Sequence, residues 1–452
     1  MRLPPGPKPY KTTLDQLRLF NHIRGNTINA FTPMFEAYGD FIVLQIGERY
    51  VYLISNPEAI YEILVTKNAQ FMKGSMYRNR ERGLARFLGN GLVTSDGEFW
   101  KRQRKLVAPA FHTKRITAYA GTMVDVTEQM LEGWHDQAEI DVDQEMMRAT
   151  MRVVAKSLFG AEIDSRDAEQ FGTALTELQH GGGMSLLPSW MPTPKKIADK
   201  RATRDLDEII YRIIAERRRT DEDNGDLLSM LLQARDDEDN GMTDLQLRDE
   251  AVTLFAAGHE TTANALNWTW YLLAQNPDAE AKLHDELDTI LAGRAPTIDD
   301  LKHLPYTEMV IKESMRLRPP VFSFGRMAVE DVEIHGYDIP REGDVNIFTY
   351  FTHRDPRWWD EPEAFRPERF SAENEPKIPH YAYLPFGGGP RICIGNSFAM
   401  MEARLMLATM AQRFQLRLKP GQTVTFDPLI TLRPHNGLHM RVEAREPIKV
   451  LA

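Results

Sequence analysis

A single cysteine, Cys393, stands in a chain of 452 residues, inside the glycine-rich stretch FGGGPRICIG at 386–395. One thiol can form neither an intrachain disulfide nor a zinc ribbon, which leaves an inert small hydrophobe or a single ligand. A lone thiolate can hold a haem iron, where it pushes electron density onto the metal and favours O–O cleavage. Such an anion needs stabilising. Glycines at 387–389 and 395 let backbone N–H groups approach a sulfur, and a helix expected to begin near Asn396 adds the positive end of its dipole.

A second polar group interrupts an apolar helix. LFAAGHETTANAL (254–266) lies in the middle of a segment that opens with Thr243 and Gln246 placed as a capping box and closes at Asn276-Pro277. Gly258 costs about 1 kcal/mol there relative to alanine. The Thr261 hydroxyl can reach the Ala257 carbonyl four residues back and bend the helix. An acid beside an alcohol can relay protons, so Glu260 and Thr261 form a candidate catalytic pair, although on this stretch alone a packing irregularity is the simpler reading. A zinc protease is excluded, because the position four after His259 is Ala263. HRDPRWW (353–359) lacks the phosphate loop and strand lysine of a kinase. GGG at 181–183 lacks the lysine and hydroxyl of a phosphate-binding loop. His435 and His439 sit on an alternating stretch and read as ordinary histidines.

The elements that must position these residues are mostly helical. Apolar periodicity of three and four marks 96–120, 140–160, 200–220, 243–275, 277–292, 304–318 and 396–414. FIVLQIGERYVYLIS (41–55) reads as a hairpin turning at Gly47 and Glu48, with further strand-like pieces at 327–348 and 422–443. The expected fold is mainly α with minor β. No linker separates blocks, so one domain over 1–452 is expected, and the acidic run DDEDNG (236–241) reads as a solvated loop. Fifty-five basic against sixty-five acidic residues leave a formal charge of -10, which excludes a dedicated nucleic-acid binder. MRLPPGPKPYKTT has no apolar run approaching the roughly 20 residues that span a bilayer, and the expected location is cytoplasmic.

Phe386, Gly389, Arg391, Cys393 and Gly395 match every fixed position of the haem-binding loop of the cytochromes P-450, the haem-thiolate monooxygenases. AGHETT (257–262), ESMR (313–316) and PERF (367–370) follow the same family's patterns in order, and WKRQR (100–104) extends the resemblance into the N-terminal half. The resemblance implies the P-450 fold, with a β-rich part near 30–70, a helical core near 96–320 and no fused reductase. It implies haem b, with Cys393 as axial iron ligand, Phe386 beside the thiolate, and Ala257 and Gly395 against the cofactor. Trp100, Arg104, Arg326 and Arg391 fall where the family places its propionate partners. Glu313, Arg316 and Arg369 resemble its structural ion-pair triad, and Glu260 and Thr261 its acid-alcohol pair.

The implied reaction takes two one-electron reductions from a separate ferredoxin, flavodoxin or flavoprotein reductase, cleaves O2 and hydroxylates or epoxidises an apolar molecule. Lys101, Arg102 and Lys105, beside Arg104, form a local basic cluster where an acidic partner is expected to dock. By family analogy 74–94, 178–194, 253–261, 320–325 and 430–435 line the pocket. Met184, Leu186, Leu187, Trp190, Val321, Phe322 and Phe324 suit a fatty acid, placed first, or a terpenoid. A peroxide-using or rearranging enzyme of the same fold, and a non-catalytic haem-thiolate sensor or electron carrier, are the alternatives. LPPGP resembles the hinge after the anchor of microsomal members; a bacterial-type, monomeric protein without transmembrane anchor is expected.

Overall fold

The computed structural model describes residues 1–81, 83–160, 193–220 and 225–445. The alternating stretch at 41–55 forms β1 (Phe41–Ile46) and β2 (Arg49–Ile54), antiparallel, with Phe41 opposite Ile54 and Ile46 opposite Arg49. Gly47 takes the left-handed backbone that the tight turn requires, at φ 62°. This hairpin joins β3 (Phe71–Lys73), β5 (Phe324–Ala328) and β8 (Asp344–Ile347) in a five-stranded sheet of order β1-β2-β8-β5-β3. Smaller sheets are β4 (Glu139–Asp141) with β12 (His439–Ala444) and β9 (Phe414–Leu418), β6 (Val332–Ile334) with β7 (Tyr337–Ile339), and β10 (Phe426–Pro428) with β11 (Leu432–Pro434).

The helix Asp244–Gln275 is the axis of the molecule. Thr243 and Gln246 form its capping box as expected, and it runs 32 residues to Asn276. Leu247, Phe255, Leu266, Trp268 and Trp270 are all buried, so this is an interior helix, apolar on more than one face. It packs on the helix Val142–Phe159 at Gly258, where a Cβ would come 3.1 Å from a Val154 methyl. The glycine therefore serves close approach of two helices. Thr261 Oγ1 donates to Ala257 O at 2.6 Å, and the segment stays α-helical through that bond instead of breaking.

Several expectations need correction. The segment 96–120 is not one helix: Gly97–Val107 ends at a 3-10 turn carrying Pro109, which has no N–H to continue the ladder. The helix expected over 396–414 stops at Ala411, because Phe414 pairs with Ala444 in the sheet instead. Helices Thr13–Gly25, Thr27–Tyr38 and Ala120–Leu131 went unrecognised, although Thr12 and Asp15 form a capping box before the first. The acidic run is an exposed loop as expected, but it also carries ion pairs. Arg102 Nε reaches Asp236 Oδ2 at 2.6 Å, its Nη2 donates to the Asn240 and Gly241 carbonyls, and Lys105 Nζ meets Asp237 at 2.6 Å. Of the pocket segment 178–194, residues 178–192 lie outside the described residues, with GGG at 181–183, Met184, Leu186, Leu187 and Trp190.

The helix Pro305–Leu317 is tied to the loop before the cysteine by buried charge. Glu313 and Arg316 are fully buried and bonded twice, at 2.7 and 2.8 Å. Arg316 also donates to the His353, Pro362 and Ala364 carbonyls, while Arg366 N donates to Glu313 Oε1 and Arg369 Nε lies 3.4 Å from it. The expected triad is thus assembled. Removing one member strands a buried charge, which costs about 3–5 kcal/mol. Arg316→Leu is expected to lower the free energy of unfolding by that amount, read from the shift of the denaturant midpoint at unchanged slope; a midpoint near that of the native protein would show that the triad contributes no net stability.

Candidate functional site

The cysteine loop is shaped by short bonds along its own chain. Cys393 N donates to Phe386 O at 2.9 Å, closing the loop, and Gly395 caps the helix Asn396–Ala411. Gly389 has φ 64°, and a Cβ there would run into the Leu64 carbonyl, so the loop can seat against that segment only as glycine. Tyr381 Oη accepts from Gly389 N at 2.9 Å and props the turn. Phe386 is partly buried and packs on the main core.

Cys393 is exposed to solvent although protein surrounds it on most sides. Burial pushes its thiol up, and the Gly395 N–H and Arg104 pull it back. The loop therefore stabilises the anion only in part, and a cation at the sulfur would have to do the rest. Ala257 is likewise exposed in mid-helix, while Phe255, His259 and Glu260 around it are buried.

Beside the loop lies a surplus of cations. The Arg391 guanidinium sits 4.1 Å from the centre of the Trp100 ring and is paired with Asp96. Lys73 and Arg326 are enclosed nearby, and among the described residues neither has a salt-bridge partner. Burial lowers Lys73 well below the usual lysine range, with Arg326 and Arg391 adding repulsion and Asp96 alone opposing it. Burial also brings Arg391 down to about 10, relieved by Asp96. Three cations around one carboxylate is an unfavourable arrangement for a closed interior and a suitable one for receiving an anion. The structure thus brings Trp100, Arg326 and Arg391 together and sets Arg104 within charge range of Cys393 instead. Lys73 and Asp96 escaped the sequence reading, since neither belongs to a motif there.

Glu260 and Thr261 are adjacent but face different partners. Thr261 has its proton on Ala257 O, whereas Glu260 is 1 % exposed and its Oε1 accepts from Arg433 Nε at 2.6 Å and Nη2 at 2.5 Å and from Thr431 Oγ1. Arg433 and Thr431 fall in the 430–435 segment expected to line the pocket, but their hold on Glu260 had no signal in the sequence. A second buried acid, Glu402, is raised to about 8 by burial, with the Thr262 hydroxyl as its one opposing contact.

A reachable single thiol in a glycine loop, a small exposed residue in mid-helix and uncompensated cations for two carboxylates are the donor set of a thiolate-ligated haem, and the residues present fit that group. The sequence profile of the cytochrome P450 family matches residues 4–440. Cyclooctatin synthase of Streptomyces melanosporofaciens is 39% identical over 89% of this chain and 88% of its own length. Cyclooctat-9-en-7-ol 5-monooxygenase of the same organism is 35% identical, over 87% and 86%. Pentalenene oxygenase of Streptomyces avermitilis is 33% identical, over 92% and 93%. The solved structure of retinoic acid-bound cyanobacterial CYP120A1 superposes with a TM-score of 0.85 at 27% identity, covering 98% of this chain and all of that one. The chain belongs to the cytochrome P450 family. It has the family's fold and is a haem-binding monooxygenase.

The cation surplus makes a two-sided prediction. Lys73→Met is expected to stabilise the haem-free protein, by roughly 1–3 kcal/mol for an unsatisfied buried group, and to speed haem loss from the loaded protein. Thermal melts of the haem-free form and haem transfer to an acceptor globin measure the two effects. Slower haem loss in the variant would remove Lys73 from the anion site.

Proposed function

We propose that this chain oxidises an apolar terpenoid, with Cys393 as the axial thiolate and Arg326, Arg391 and Lys73, with Trp100, holding the haem carboxylates. The observation that carries the assignment is the one thiol, enclosed by protein yet reachable, with the Gly395 N–H turned onto it. Bound there, the haem supplies the O2-activating redox chemistry. Phe386 and Gly395 shape the sulfur's surroundings, and Ala257 leaves room against the helix. Ile430, at the β10–β11 turn, packs with Leu254, Ala256, Val93 and Tyr77 against the same apolar cluster that Trp100 joins. The three named relatives include a cyclooctat-9-en-7-ol 5-monooxygenase and a pentalenene oxygenase, which weighs a terpenoid above the fatty acid placed first by sequence.

Thr261 and Glu260 serve proton transfer in this reading. With its own proton on Ala257 O, Thr261 Oγ1 is an acceptor that orders a donor beside the helix, while Glu260 is the acid that must supply the proton. The pair argues for oxygen insertion over peroxide rearrangement or a silent electron carrier. The lone free cysteine suits a reducing, cytoplasmic setting, and among the described residues no helix is long and apolar enough to cross a membrane.

Electrons come from a separate acidic partner, a ferredoxin or flavodoxin. Its docking site cannot rest on Arg102 and Lys105, whose charges are answered by Asp236 and Asp237, nor on Lys101, paired with Glu98 at 2.7 Å. Lys114 and Arg115 are exposed, have no salt bridge among the described residues, and lie just past Phe111, whose ring approaches Gly395. Opposite charge there steers association and fades with salt.

Two measurements check these assignments. Cys393→Ala is expected to lose the strongly red-shifted absorption band of the reduced, CO-treated haem protein; survival of that band would refute the ligand. Charge reversal at Lys114 and Arg115 is expected to slow partner-supported turnover severalfold at low salt and to leave peroxide-driven turnover unchanged. Equal losses by both routes would place the damage in haem binding.

A further inference from the structure

The helices Asp244–Gln275 and Pro305–Leu317 end at a half-open cleft of about 350 Å3, closed on its other side by residues 363–365. Leu272, Leu317 and Phe365 give it buried apolar walls, and Gln275, Asn276, Arg318 and Glu363 its polar edge. Its volume lies at the lower end of the range of small-molecule pockets. None of these residues belongs to the haem site.

Two guanidiniums converge there on a single carbonyl. Arg318 Nη1 donates to Leu317 O at 3.1 Å, and Arg354 Nη2 donates to the same oxygen. Arg354 is buried, and its Nε meets Glu363 Oε1 at 3.2 Å, a carboxylate that is itself 70 % exposed. Arg318 has no salt bridge among the described residues, and its Nε is buried without a hydrogen-bond partner. Two cations to one carboxylate leave one charge unanswered. The helix ends offer it little, because the nearby carbonyls are already taken. Asn276 Nδ2 donates to Leu272 O at 2.7 Å, Asn276 N to Leu273 O at 3.0 Å, and Arg318 N to Ser314 O at 2.7 Å. The Trp268 and Phe426 rings, each centred 5.7 Å from the Arg318 guanidinium, attract the cation but are weaker acceptors than a carboxylate.

We propose that this cleft binds a small carboxylic acid, with its carboxylate on the Arg318 guanidinium and its apolar body against Leu272, Leu317 and Phe365. A planar carboxylate matches the forked N–H groups of a guanidinium. A monoanion cancels the one surplus charge, whereas a dianion overshoots it beside Glu363, and the apolar walls ask for a body that phosphate lacks. Occupancy reaches the haem site through the two rings. Trp268 Nε1 donates to Leu432 O at 2.9 Å and Phe426 lies on β10, so both hold the β10–β11 hairpin whose Thr431 and Arg433 grip Glu260. An acid that fixes Arg318 against those rings steadies the hairpin, and by linkage whatever steadies the hairpin strengthens binding of the acid.

Benzoate, a monoanion on a compact ring, is the probe, and calorimetric titration of the haem-loaded protein is the measurement. Saturable binding is expected. Benzamide, which keeps the shape without the charge, should bind about tenfold more weakly, as should benzoate to Arg318→Gln, the loss of one charge-assisted contact. Glu363→Gln removes the carboxylate that competes for the two cations and should tighten benzoate severalfold; Glu363 is exposed, so this arm stands even where Arg318→Gln fails to fold. Amide hydrogen exchange locates the site: benzoate is expected to protect 272–276 and 363–365, and with them 426–434 of the hairpin. The carboxylate site is overturned by absence of saturable binding, by native affinity in Arg318→Gln, by equal binding of benzamide, or by unchanged or weaker binding in Glu363→Gln. Inorganic phosphate binding more tightly than benzoate overturns the ligand class. Protection confined to 253–261 and 320–325 puts benzoate in the haem pocket and also sinks the site, and protection of the cleft walls without 426–434 overturns the link to the hairpin.

Discussion

Burial of the central helix on nearly every side is the constraint from which the rest of the site follows. A helix that crosses the interior cannot leave its polar residues to water, and each must be answered by another part of the chain. Asp249 and Glu250 answer the backbone N–H groups of Asn90 and Leu92, which fixes the loop before the helix Gly97–Val107. Asp249 also sits so close to Gly89 that only glycine fits there. Glu260 takes Thr431 and Arg433, which fixes the β10–β11 hairpin, and Asn267 takes Asp143, which fixes the start of the neighbouring helix. The walls of the site are thus hung on one helix through its own unsatisfied groups.

The same logic, run in reverse, explains the cation cluster. Lys73, Arg326 and Arg391 are enclosed with Asp96 as their shared carboxylate, an arrangement that an interior tolerates poorly unless an anion joins it. Cys393 shows the complementary deficit, a thiol whose burial works against the anion and whose helpers, Gly395 and Arg104, offset only part of it. A group bringing two carboxylates and a metal cation would relieve both strains together. Binding of such a group would therefore be linked to local stability at both places.

Short-range features were legible in the sequence because their physics is short-range. The Thr243 and Gln246 capping box, the β1–β2 turn at Gly47, the Thr261 bond to Ala257 and the Phe386-to-Cys393 loop each join residues no more than seven apart, and each formed as read. Errors fell where a distant partner overrode local pattern. Phe414 looked like the end of a helix until β12 claimed it, and Arg102 and Lys105 looked free for a partner until Asp236 and Asp237 answered them. Those two lie more than 130 positions away, beyond the reach of any periodicity.

By itself the sequence determined the mainly helical fold, the glycine-rich loop around its one cysteine and the presence of an acid beside an alcohol in mid-helix, while the buried Glu313–Arg316 pair was legible only through the family resemblance. Only the tertiary structure decided which charges meet: that Lys73 joins the arginines, that Arg102 is neutralised, and that Glu260 is gripped by Arg433 from 173 residues away. The division has a physical cause. Capping, turns and helical spacing are set by backbone geometry over a few residues, whereas the pairing of buried charges is set by the cost of removing them from water, which exists only once distant segments have packed together.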